Sequence, residues 1–292
     1  MSKLKQIVKS IVRSISSSIK REQNTQVEQT MIANQYRLMQ KMLTPQEMPK
    51  FKDVGFKVHS QFDEDGILLY IFSIIGTVNK RVVEICAGDG IVCMAANLII
   101  NHGWDALLFD GDRVSVANGI KYYKLNPSTS VFPPKFVRAW ITKDNIDKLI
   151  TDNGFTGEID LLSIDIDGND YYIMEAIQSV KPRVIICETH NVVPANLAVT
   201  MPYKEDYYYL DGKQHEEFRS VSLLAMQKLL SQRGYKLVGA HKYGFNAIFM
   251  LKELGKDIFP EVTVEEVSSN PYSVFRREKA WNEVKDLPWV KV

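Results

Sequence analysis

The chain has 292 residues, of which 45% are apolar and 24% charged. That balance belongs to a folded protein with a sizeable core and excludes collagen-like, disulfide-scaffold and disordered classes. Its longest mostly apolar stretches, 67–75 and 95–100, fall well short of the ~18 residues of a membrane span. Three cysteines, Cys86, Cys93 and Cys187, lie in apolar runs without metal-ligand spacing, which fits a reducing, cytoplasmic setting.

The net charge of +1 conceals a division along the chain. Residues 1–21 carry six basic side chains and no acid, whereas the other 271 hold 30 basic against 35 acidic ones. A body of that sign is a poor match for nucleic acid, which rewards basic patches through counterion release. The first segment also places Leu4, Ile7, Val8, Ile11, Val12, Ile15 and Ile19 on one helical stripe opposite a basic, serine-rich face. Three readings fit it: a helix on an anionic membrane surface, making the protein peripheral at the inner membrane surface; a packing or self-association helix; and an organelle presequence.

A second helical row, Ile32, Tyr36, Met39 and Leu43, widened by Met31, Leu38 and Met42, stops before Pro45 and Pro49. Membrane contact or self-association would therefore involve residues 1–43, and residues 1–50 read as a helical N-terminal extension. From Val58 onward, short β-branched runs at 81–86, 106–110, 136–139, 161–165 and 184–188 alternate with helix-like stretches near 93–102, 115–124, 143–151 and 171–180. The alternation predicts an α/β fold, a mostly parallel sheet with helices on both faces. After a helix at 222–233, runs at 235–238 and 247–251 are joined by only eight residues. A parallel crossover needs a dozen or more, so a C-terminal antiparallel hairpin completes seven strands.

Ligands of such sheets bind beyond the carboxyl ends of the strands. The first strand here runs into Cys86-Ala87-Gly88-Asp89-Gly90, a turn whose glycines let a ligand approach the backbone. Twenty residues beyond Gly90, Asp110 ends the second strand, where a carboxylate can accept ribose hydroxyls. A dinucleotide fingerprint is missing, because Cys93 stands at the third glycine position.

At this point the chain resembles S-adenosylmethionine-dependent methyltransferases of the Rossmann-like class, and within them the FkbM-like group associated with methylation of sugars and cell-surface glycans. The resemblance rests on Ser60-Gln61-Phe62-Asp63-Glu64-Asp65-Gly66, the Glu84 to Gly90 turn, Leu107 to Asp112, Ile159 to Asp170 and Gly244-Phe245-Asn246-Ala247. It covers about 58–252, so 51–255 is expected to be the methyltransferase domain and 256–292 a C-terminal tail packing on it. The resemblance implies S-adenosylmethionine as cofactor, with Gln61, Glu84, Ala87, Gly88, Gly90, Asp110 and Trp140 around it. Two departures stand out: Cys86 replaces the usual first glycine, and Phe218-Arg219-Ser220-Val221-Ser222 replaces a small Gly-Ala-Ser pattern.

The fourth and fifth strands end in Asp165-x-Asp167-Gly168-x-Asp170 and in Glu188, His190 and Asn191. Adjacent strands lie ~4.8 Å apart, so Asp165, Asp167 and Glu188 can surround one hard cation, Mg²⁺ or Mn²⁺. The alternative is an acidic corner that holds the acceptor without metal. Asp165 and His190 are the candidate catalytic residues, His190 as proton acceptor. Residues 192–220, with Tyr203, Tyr207, Tyr208, Tyr209, Asp211 and His215, lack periodicity and read as a lid over a sugar-like acceptor, or as a surface loop. The expected function is thus O-methylation of a sugar or glycan precursor. Its rivals are a metal-dependent glycosyltransferase using Asp165-x-Asp167 and a non-catalytic scaffold of the same fold.

Overall fold

Runs of β-branched residues place a sheet at the centre of the chain, buried on both faces. The structure, a computed structural model, describes residues 25–208 and 216–292. The amphipathic stripe of residues 4–19 lies outside the described residues. The seven-stranded sheet has the order β3 (Lys135–Arg138), β2 (Asp105–Asp110), β1 (Arg81–Ile85), β4 (Gly157–Ile164), β5 (Val180–Glu188), β8 (Asn246–Leu251) and β7 (Tyr235–Ala240). The first five are mutually parallel. β8 runs antiparallel to both β5 and β7, as the short connection requires.

Alternate residues of each strand feed two cores. Val83, Ile85, Leu107, Phe109, Leu162 and Ile185 face one side, beneath α6 (Ile146–Asp152), α7 (Asp170–Ala176) and α8 (Leu223–Gln232). Val82, Ala106, Leu108, Leu161, Val184 and Ile186 face the other, beneath α3 (Glu64–Ile75), α4 (Ala96–His102) and α5 (Arg113–Leu125). Helices on both faces make this a doubly wound, Rossmann-like α/β fold.

The first described helix, α1 (25–42), lies over α3 and α4. Its Gln29 amide donates to Asn97 at 3.0 Å, and Tyr36 packs edge-on against Tyr70. Met31, Leu38 and Met42, expected to widen the packed row, instead lie 55–73% exposed, on the side of the helix away from Tyr36, Met39 and Leu43, which pack on the domain. At the other terminus α10 (Pro271–Val284) sets Ala280 and Val284 against Val192. β9 (Val290–Lys291) then pairs with β6 (Val199–Thr200) and ties the chain's end to the segment after β5.

Candidate active site

The five parallel strands and the start of β8 meet at one edge of the sheet, and the strand order reverses between β1 and β4. β1 leaves the sheet at Ile85, and the next residue, Cys86, adopts φ +64°. The turn closes with Ala87 N donating to Phe109 O at 2.9 Å and Gly90 N to Ala87 O at 2.8 Å. Gly88, at φ +60°, has no heavy atom within 4 Å of where a side chain would begin, so a ligand can reach the backbone there. Asp110 spans two loops: Oδ2 accepts from Gly88 N and Oδ1 from Asp112 N, both at 2.8 Å. Each oxygen keeps a second lone pair, and burial pushes the carboxyl above its ordinary pKa.

The other residues expected around a cofactor are placed less uniformly. Glu84 points into the protein, where Oε1 accepts from Met94 N at 2.9 Å and Oε2 from Ala95 N at 2.7 Å. It fixes the loop entering α4 and does not face the sheet edge. Ala87 is buried, Gly90 lies beneath Phe136, Leu108 and Tyr123, and Gln61 is exposed. Trp140 is half-exposed, and a side chain at Gly111 would meet its ring at 3.3 Å.

Above β4 and β5 the carboxylates face one another. Asp165, Asp167 and Glu188 each offer an oxygen within 4.8 Å of the others. Desolvation, and then the charges of Asp167 and Asp170, push Asp165 up; desolvation, and then Asp165, push Glu188 up. Asp170 has a different task. Its oxygens accept from Ile166 N at 2.9 Å, Gly168 N at 3.0 Å and Ser220 Oγ at 2.9 Å, which holds the turn in shape. Arg219 donates to Asp167 Oδ1, and its other terminal nitrogen lies 3.9 Å from Glu188 Oε1.

Two buried oxygens at this corner have no partner, Glu188 Oε2 and Asn246 Oδ1, and the two residues are paired in register across β5 and β8. The amide of Asn246 donates to Glu64 Oε1 at 2.8 Å, and Asp63 Oδ1 accepts from Lys242 N at 3.2 Å. The Ser60 to Gly66 and Gly244 to Ala247 motifs, 182 residues apart at that amide, therefore form one buttress beside the site. His190 is buried, and its Nε2–H donates to the Glu217 carbonyl at 2.7 Å. Desolvation lowers its pKa.

Residues 201–207 are tied to the loops after β3 and β4 and to α7. Trp140 Nε1 donates to Glu205 O at 2.8 Å, Asn169 Nδ2 to Lys204 O at 2.8 Å and Tyr172 OH to Met201 O at 3.1 Å. The ring of Tyr207 lies on Gly168, so close that a side chain there would meet it at 2.2 Å. Tyr203 OH accepts from Lys143 N at 3.4 Å and Tyr208 is 44% exposed, while Tyr209, Asp211 and His215 lie outside the described residues. Among the described residues no helix is long and apolar enough to cross a membrane.

Residues 137–237 match the family model of the methyltransferase FkbM domain. No curated protein sequence matches the chain. Solved structures with a similar course of the chain include the N-terminal domain of EvdMO1 with SAH bound, at 12% identity and a TM-score of 0.43, covering 67% of this chain and 87% of that one. A second is a S-adenosylmethionine-dependent methyltransferase from Clostridium acetobutylicum, at 10% identity, 64% and 90% coverage and a TM-score of 0.39. The methyltransferase domain of bacterial-CtHen1-C follows at 12% identity, 64% and 96% coverage and a TM-score of 0.41.

Proposed function

We propose that this chain, whose residues 137–237 match the family model of the methyltransferase FkbM domain, is an S-adenosylmethionine-dependent methyltransferase that transfers the methyl group to a hydroxyl of a sugar or glycan-type acceptor. The observation that carries the acceptor class is the corner above β4 and β5, where Tyr207 covers Gly168 beside Asp165, Glu188 and Asn246. A sugar presents an apolar ring face and several hydroxyls, and this corner offers an aromatic face and unsatisfied oxygen acceptors.

When bound, S-adenosylmethionine supplies an electrophilic methyl on a positively charged sulfur. The chain's residues fit that group: Gly88 leaves open space over its backbone, and Asp110 retains lone pairs for ribose hydroxyls. The acids at the sheet edge suit a cationic ligand. On the acceptor side, the partly exposed carboxylates Asp165 and Asp167 are the oxygens placed to receive hydroxyl hydrogens.

The proton of the reacting hydroxyl goes to the Asp165 and Glu188 pair. Both carboxyls are raised, so either carboxylate is a stronger base than a solvated one. His190 is a weaker candidate, because burial depresses the basicity of its ring. Little else is asked of the protein, since alignment of two substrates can supply ~7–11 kcal/mol of the barrier.

Calorimetric titration with S-adenosylmethionine and S-adenosylhomocysteine tests the cofactor, followed by transfer of a labelled methyl group to a panel of sugars and amino sugars. Label on sugar hydroxyls is the expected outcome. Transfer to amines alone would overturn the acceptor reading, and failure to bind either nucleoside would remove the cofactor.

A further inference from the structure

By composition the corner formed by Asp165, Asp167 and Glu188 is a cation site, with three carboxylate oxygens inside 4.8 Å of one another. The chain places a cation of its own there. Arg219 donates to Asp167 Oδ1 and holds its second terminal nitrogen 3.9 Å from Glu188 Oε1, so the guanidinium bridges two of the three carboxylates. We propose that Arg219 is the resident cation of this corner, standing where a divalent metal would otherwise bind, and that the site operates without Mg²⁺ or Mn²⁺.

The arginine is held in place from both sides. Ser220, the next residue, takes φ +56°, a conformation that costs energy for a residue with a side chain and persists only when its surroundings fix it. Here the fixing contacts are Ser220 Oγ to Asp170 Oδ2 at 2.9 Å and Met201 N to Ser220 O at 3.0 Å. Two residues earlier in the chain, the Glu217 carboxylate accepts from Arg276 of α10, and its carbonyl accepts from His190. The backbone on either side of Arg219 is thus anchored to α7, α10 and the end of β5, which limits withdrawal of the side chain.

The donor set disagrees with a divalent ion in a second way. Mg²⁺ demands near-octahedral oxygen ligands at ~2.0–2.1 Å. Asp167 already gives an oxygen to a guanidinium, and Asp170, the nearest further carboxylate in the motif, is already engaged with two backbone amides and Ser220. An ion entering beside Asp165 would also meet the fixed positive charge of Arg219. The same charge offers an acceptor hydroxyl a hydrogen-bond donor in a corner otherwise built from acceptors. The inference holds whichever acceptor the enzyme uses.

The test is titration of the full-length protein with Mn²⁺ alone, following the free-ion paramagnetic resonance signal, for the native chain, Arg219→Met and the double variant Arg219→Met with Asp167→Asn. The native chain is expected to leave millimolar Mn²⁺ free. Removing the guanidinium is expected to create one site that binds at least about tenfold more tightly, and Asp167→Asn to abolish it. Folding of each variant is checked by circular dichroism, and Arg219→Gln replaces the methionine variant if that one fails to fold. Stoichiometric Mn²⁺ binding by the native chain that Asp165→Asn weakens would overturn the proposal. So would a folded Arg219 variant that gains no site.

Discussion

Above β1 and β2 the carboxylates are committed to backbone, whereas above β4 and β5 they face one another. Glu84 and Asp110 together accept four backbone N–H groups, and in doing so they set the shape of the Gly88 turn and the loop into α4. Asp165 and Glu188 crowd against Asp167, and Glu188 keeps a buried oxygen without a partner. The first half is a finished scaffold into which a ligand fits; the second gathers its acids around one guanidinium and still keeps a buried acceptor, Glu188 Oε2, unpaired. A single substitution of an acid should therefore mean opposite things in the two halves.

The largest effect is expected from Glu84→Ala. It leaves Met94 N and Ala95 N buried without acceptors, at ~1–3 kcal/mol each, so urea unfolding should show a loss of roughly 2–6 kcal/mol. In the other half Asp165→Asn should leave the protein as stable as before or more so, while turnover falls by about 10²-fold or more because a proton acceptor is gone. A loss of stability in Asp165→Asn as large as that in Glu84→Ala would erase the distinction between the halves.

Asp110→Ala lies between these. Removing a charged acceptor of hydroxyl hydrogen bonds costs ~1.5–3 kcal/mol, so calorimetry should find binding of S-adenosylhomocysteine weakened roughly tenfold to a hundredfold, while Asp165→Asn largely spares it. Equal loss of binding in the two variants would contradict the assignment of cofactor to one half and acceptor to the other.

The pH dependence sharpens the contrast further. Asp165 and Glu188 titrate above their ordinary values in the folded chain, so their favourable contribution is complete below the normal carboxylate range, near pH 4, and is lost as pH rises through the folded values. Melting temperature should therefore fall on the alkaline side of that window, and Asp165→Asn should flatten the fall. An unchanged slope in that variant would assign the effect to other groups.

The two halves also differ in how far the sequence discloses them. β1 and β2 are legible because apolar and β-branched runs end in glycine and aspartate, and Asp110 falls where strand spacing predicts it. Glu84 is legible as a polar residue inside a strand, but its partners, ten and eleven residues onward, depend on how the loop folds back. The acidic corner is visible as Asp165, Asp167 and Glu188. Its cation is hidden, because Arg219 comes from a segment without periodicity, and only its departure from a small-residue pattern marks it. Asn246 belongs to a recognised motif, yet only strand pairing sets it beside Glu188. Among helices, α3 escapes sequence reading for a physical reason: every residue from Glu64 to Ile74 is buried, so no polar face alternates with the apolar one to give a helical period.

The smallest effect concerns the turn that begins the finished half. Cys86 stands where the resemblance to methyltransferases implies a glycine, and it takes φ +64° all the same. The backbone conformation is thus kept although the residue that adopts it without cost is missing. A side chain in that region crowds the following carbonyl by ~1–2 kcal/mol, while glycine gives back ~0.5–1 kcal/mol through the freedom of the unfolded chain. Cys86→Gly should then stabilise the protein by no more than about 1.5 kcal/mol, and Cys86→Val, whose branched side chain tolerates positive φ least, should destabilise it by roughly as much. Denaturation midpoints in the order glycine, cysteine, valine would locate the strain in the backbone. If valine equalled cysteine, the neighbouring contacts of Ala87 and Gly90 would be holding the turn without strain at residue 86, and the departure from glycine would carry no energetic meaning.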